Sequence, residues 1–99
     1  MDGAHAYKEC FDDIKLAKRI VKKDFSIICG DDLEQLPTRE RIKIAKTNLK
    51  TDSTITLSKG DAFHPGVLLA VAESFNEVNM SKSFWWIYCV NGEFTINKP

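Results

Sequence analysis

Asp31 and Asp32 follow the apolar run Phe25-Ser26-Ile27-Ile28-Cys29 and a glycine, a placement that suggests chemistry. Adjacent carboxylates at the end of a strand can hold a divalent cation. A second loop, Ser58-Lys59-Gly60-Asp61, follows another β-prone run, and His64 comes soon after it. If the two strands are parallel neighbours, both loops lie along one carboxyl edge, where open α/β sheets place ligands. Asp31, Asp32, Asp61 and His64 are then the candidate metal ligands, with Lys59 beside them for a phosphate. Gly-Asp-Asp and Lys-Gly-Asp are also ordinary turn sequences, favoured for their backbone preferences. That plainer reading is preferred here. No cofactor is expected, and a small metal- or phosphate-ligand-binding enzyme at the 31–32/58–64 edge is kept as a second alternative.

Nucleophilic catalysis has thinner support. The two histidines are His5, close to the N-terminus, and His64, at a helix start where its ring can cap. Pairing Cys29 with His64 would need a reactive thiolate, whereas an apolar run predicts a buried, inert thiol. The five glycines are scattered singly and form no phosphate-cradling loop.

Arg39, Lys43, Lys46 and Lys50 recur at helical spacing and cluster within about 60° of one helix edge. Such a stripe can track phosphates, and Lys8, Lys15, Arg19 and Lys22 extend it if the two helices lie side by side. This makes a nucleic-acid-binding module the first alternative. Overall charge gives it no help: fourteen Lys and Arg balance fourteen Asp and Glu. Residues 1–60 are net +2 and residues 61–99 net −2, too little to imply nucleic acid alone.

The end of the chain is the most informative stretch. Two β-prone runs, Phe84-Trp85-Trp86-Ile87-Tyr88-Cys89-Val90 and Glu93-Phe94-Thr95-Ile96, flank Asn91-Gly92. Asn-Gly readily takes the positive φ angles of a type I′ turn, so a hairpin is expected. A two-residue turn sets Val90 against Glu93, Cys89 against Phe94, Tyr88 against Thr95 and Ile87 against Ile96. Trp85, Ile87, Cys89, Phe94 and Ile96 then share an apolar face that must bury. Phe84, Trp86, Tyr88 and Thr95 lie on the other, an aromatic face suited to contacting a partner. Packing of that face under a helix is the competing expectation.

The elements that position these residues follow from periodicity. Tyr7, Cys10, Phe11, Ile14, Ala17 and Val21 fall on one face of a helix over 4–23, and Leu16 and Ile20 lie off the stripe. Residues 25–29 read as a buried strand. Thr38 caps a helix running to about Leu49, and 54–57 alternates as a half-buried strand. Pro65 opens the most apolar helix, 64–78, with Phe63 placed to staple onto Leu68. The expected fold is one α+β domain over residues 1–99, in the order α-β-α-β-α-β-β. Its sheet is mixed, with about four strands and the terminal hairpin at its end.

A chain of 99 residues, 43% hydrophobic, is large enough for a single core. No apolar run approaches the roughly 18 residues of a membrane span, and Met1-Asp2-Gly3-Ala4-His5 has no signal-peptide character. Cys10, Cys29 and Cys89 are odd in number and widely spaced, so free thiols in a reducing compartment are expected. The location expected is cytoplasmic, including a host's cytoplasm for a viral or phage product. The function expected is a small non-enzymatic protein-binding domain: an inhibitor, immunity-type or adaptor protein that occludes or bridges a partner. No membrane is involved, and a free sheet edge could also pair two copies.

Overall fold

In a computed structural model, residues 3–48, 55–56 and 62–99 are described, with side chains for 7–48 and 62–99. The elements run α1 (Gly3–Ile20), β1 (Phe25–Gly30), α2 (Arg39–Thr47), β2 (Ile55–Thr56), β3 (Ala62–Phe63), α3 (Pro65–Ser74), β4 (Asn79–Ser81), β5 (Phe84–Val90) and β6 (Glu93–Thr95). Together they make an α+β domain of three helices and a four-stranded antiparallel sheet.

The sheet is built around β5. Its residues 85–90 pair with β1, from Phe25 opposite Val90 to Gly30 opposite Trp85. The other edge of β5 is shared by β4, opposite residues 84–86, and β6, opposite residues 88–90. Asn79 Nδ2 donates to Ile96 O at 2.8 Å and closes the junction between these two short strands. The hairpin has the expected register as far as Thr95, and Asn91 and Gly92 both have positive φ, 51° and 82°. Asn91 and Gly92 also donate their backbone N–H groups to Asp24 O and Lys23 O, anchoring the turn to the chain that enters β1.

The mixed sheet expected above does not form. β1 and β4 do run the same way, as helical crossovers require, but β4 lands one position away and β5 fills the gap in the opposite direction. Of the run 54–57, the described residues Ile55–Thr56 form a strand that pairs not with this sheet but with Ala62–Phe63, in a separate two-stranded piece. The expected turn at 51–53 and loop at 58–61 lie outside the described residues.

Burial follows the helical stripes. Tyr7, Cys10, Phe11, Ile14, Ala17 and Val21 all turn inward, while Leu16 and Ile20 are exposed. Thr38 Oγ1 accepts from Arg41 N at 3.2 Å and caps α2, and Ala45 is its buried contact. α3 is the most buried helix, with Pro65 in its first turn and Gly66, Leu68, Leu69, Ala70 and Val71 enclosed. It ends at Ser74, four residues before the expected 78. Ser74 Oγ bonds back to Ala70 O, and Phe75 takes extended angles that turn its ring toward Trp85 and Phe94. Leu33, fully buried, is a core residue beyond the helical and strand patterns.

The Tyr7 hydroxyl ties α1 to α3 by donating to Glu73 Oε1. That bond, then burial and the neighbouring carboxylate charges of Glu73 and Asp12, push the phenol up to about 12 from its ordinary 10.0. Because the folded value is the higher one, this tie contributes stability fully below pH ~10 and loses it as pH rises through about 12. A pH jump read by phenolate absorbance before the chain unfolds should show a step near 12 that Tyr7→Phe deletes. The same step surviving in the variant would show that Tyr7 is not its source.

Candidate functional site

Alternation along β5 divides its side chains cleanly. Trp85, Ile87 and Cys89 point into the core and are at most 2% exposed, whereas Phe84, Trp86, Tyr88 and Val90 emerge on the other face. That face carries no helix among the described residues: Phe84 is 46% exposed, and Trp86, Tyr88, Val90 and Thr95 are half-buried against one another. Among the described residues, the competing expectation that this face packs under a helix is not met.

The face is wider than the hairpin. Residues directly opposite in an antiparallel pair share a face, so Phe25, Ile27 and Cys29 stand beside Val90, Tyr88 and Trp86. Phe25 and Ile27 are about half exposed, and Cys29 is exposed too. This corrects the reading of 25–29 as a strand buried on both sides; among its three outer residues the thiol of Cys29 is open to solvent. Phe25 stacks on Tyr88 with centroids 6.4 Å apart, Phe84 lies 6.1 Å from Trp86, and Trp86 Nε1 donates to Tyr88 Oη at 3.3 Å. These contacts hold the rings against one another. None of the four strands of this sheet contains a lysine or an arginine.

The basic stripe is exposed at Arg39, Lys43 and Lys46, and Lys50 lies outside the described residues. α1 and α2 each pack on α3 rather than forming the side-by-side pair that would extend the stripe. The described cations of the stripe therefore lie on α2 and not on the sheet that carries the exposed rings.

The acidic candidates separate. Asp31 is committed to its own loop: its Oδ1 accepts from Asp32 N at 2.9 Å and from Ser83 Oγ at 3.0 Å. Leu33 N donates to Ser83 O, so the chain leaving β1 is held against the turn between β4 and β5. Asp61 lies outside the described residues. Asp32 and His64 do approach each other, but their third neighbour is Glu34, which sequence reasoning missed. Glu34 accepts from the backbone N–H of His64 at 3.0 Å and lies 2.7 Å from His64 Nδ1. A separation of 30 residues in sequence hides that pairing from any local pattern.

His64 is thus engaged by Glu34, while Cys29 stands on the outer sheet face, and no bond joins them among the described residues. Cys10 lines a cleft of about 410 Å³ between α1 and β1. Burial, with the negative charges of Asp13 and Asp32, pushes its thiol up to about 11, which leaves it protonated and a poor nucleophile near neutrality. No described helix is long and apolar enough to cross a membrane. Compared with protein-family models, with curated proteins and with solved structures, the chain matches none.

Proposed function

We propose that this chain is a small protein-binding domain, an inhibitor, immunity-type or adaptor protein that occludes or bridges a partner protein through the outer face of its sheet. The observation that carries the reading is the continuous uncovered surface of Phe25, Ile27, Cys29, Phe84, Trp86, Tyr88 and Val90 across β1 and β5. Large exposed apolar patches on a folded domain mark interaction sites, and Trp and Tyr bury rigid area at small entropic cost. The missing cations on these strands favour a protein over single-stranded nucleic acid, whose stacking platforms need basic groups beside the rings. Three free thiols suit a reducing, cytoplasmic setting.

Cys29 supplies the test because it lies on this face opposite Trp86. A partner captured by the intact chain should slow alkylation of Cys29. Trp86→Ala should weaken the complex by at least ~2 kcal/mol while leaving the fold in place. Unchanged Cys29 labelling in the complex, or equal affinity for the variant, would move the interface elsewhere. Salt-sensitive capture that nuclease removes would favour the stripe at Arg39, Lys43 and Lys46.

A further inference from the structure

The carboxylates of Asp32 and Glu34 and the ring of His64 bring ligand atoms within 4.8 Å of one another at the junction of the loop after β1 with the start of α3. We propose that these three side chains form a site for one six-coordinate divalent transition-metal ion, of the class of Mn²⁺, Co²⁺ or Ni²⁺, with water completing the shell. The site lies outside the sheet face described above and does not depend on it.

The donor set selects the class of ion. One imidazole nitrogen with two carboxylates suits first-row transition metals, whereas Mg²⁺ and Ca²⁺ prefer oxygen alone. Spacing narrows the coordination. His64 Nδ1 and Glu34 Oε2 are 2.7 Å apart, a separation that subtends about 80° at an ion ~2.1 Å from both. That is close to the right angle of an octahedron and well short of a tetrahedral angle, so the pair needs little rearrangement to share a six-coordinate ion. On binding, the imidazole carries its proton on Nε2 and presents the Nδ1 lone pair.

The surroundings separate this cluster from a simple ion pair. Glu34 is held in place by the backbone N–H of His64, and His64 makes no side-chain cap to α3, so among the described residues its ring bonds to Glu34 alone. Asp31 is used up by Ser83 and by the loop backbone, but the Asp32 carboxylate has no partner among the described residues. Its approach to Glu34 places two negative charges together, a repulsion that a divalent cation offsets. Asp32 is exposed, so its carboxylate can swing inward to the ion. The bound ion would fasten the loop after β1 to the start of α3.

The test uses the tag-free full chain, stripped of metal, melted with Mn²⁺, Co²⁺, Ni²⁺ or Mg²⁺ and titrated with Co²⁺. Binding only to the folded state should raise Tm in a saturable way for the transition ions, at one ion per chain, and not for Mg²⁺ at equal concentration. The Co²⁺ complex should show the weak visible absorption of a six-coordinate ion. Asp32→Asn should lower affinity at least about tenfold, and His64→Gln should abolish binding. Asp32 has a φ of 64°, a backbone that asparagine tolerates well, so that variant removes the charge without disturbing the turn. Cys29→Ser should bind as the parent does. Unchanged melting with every ion, equal affinity in the Asp32 and His64 variants, or an intense tetrahedral Co²⁺ spectrum lost with Cys29→Ser would each overturn the proposal.

Discussion

Trp85→Ala should cost about 3–5 kcal/mol of folding stability, and Trp86→Ala less than about 1. The two residues are adjacent and chemically identical, so the difference is set by alternation along β5. Trp85 is 2% exposed, lies 6.0 Å from Phe75 between ring centroids, and covers Gly30 on the neighbouring strand. A Cβ at Gly30 would stand 2.6 Å from Trp85 Nε1, so that indole fills the space where a side chain on β1 would go. Its removal opens a cavity bounded by two strands and the end of α3, which cannot close without moving backbone. Trp86 is half-buried among Phe84, Tyr88 and Cys29, and its truncation opens no enclosed space. What it loses is one 3.3 Å hydrogen bond to Tyr88 and some ring contact, worth about 1 kcal/mol or less once water returns. Urea unfolding of both variants reads the contrast directly. Equal losses would mean that the outer face is a second core surface.

Adjacent tryptophans with opposite tasks are legible in the sequence because Asn91-Gly92 fixes the hairpin register, and register decides which ring is inside. The helices are legible for a similar reason: Ile14 and Ala45 sit where their stripes put them. β4 is not legible. Asn79-Met80-Ser81 is too short for its alternation to signal a strand and has no β-branched residue, and it pairs because Lys82 adopts a positive φ in a two-residue turn. Lysine does not advertise such a turn as glycine or asparagine does.

The run Phe25-Ser26-Ile27-Ile28-Cys29 shows a different limit. An apolar run states that a strand can be buried on both faces, not that a helix will arrive to cover each one. Here only the inner side is covered, and Ile28 is buried while its neighbours Ile27 and Cys29 are exposed. The candidate interface was therefore half visible in advance: the rings of β5 could be read from the hairpin, but Phe25, Ile27 and Cys29 join them only through strand pairing. Of the Asp32–Glu34–His64 cluster, Asp32 and His64 are among the candidate ligands the sequence offers, but Glu34 is not, because it meets a helix start thirty residues on.

Phe75→Ala should cost about 3–5 kcal/mol, comparable to Trp85→Ala, because Phe75 joins α3 to the sheet. The residue follows the last turn of α3 in an extended conformation, with its ring 5.4 Å from Phe94 and 6.0 Å from Trp85. Lys18 of α1 reaches over the same place. Its Nζ donates to Ser74 O at 2.9 Å and stands 5.0 Å above the Phe75 ring and 5.3 Å from that of Phe94. The ammonium thus meets both the negative end of the α3 dipole and an aromatic face, and one side chain ties α1, α3 and β6 together. Arg19, Lys22 and Lys23 nearby are exposed, whereas Lys18 is half-buried in this contact. A double-mutant cycle separates these contributions from packing: Phe75→Leu keeps most of the apolar volume and removes the ring, and Lys18→Met keeps the aliphatic stem and removes the charge. The two changes should be coupled by about 0.5–1 kcal/mol in urea unfolding, since either one alone already abolishes the contact between the ammonium and the Phe75 ring. Strict additivity would show that Lys18 gains nothing from the Phe75 ring, leaving Phe75 to stabilise the domain by packing alone.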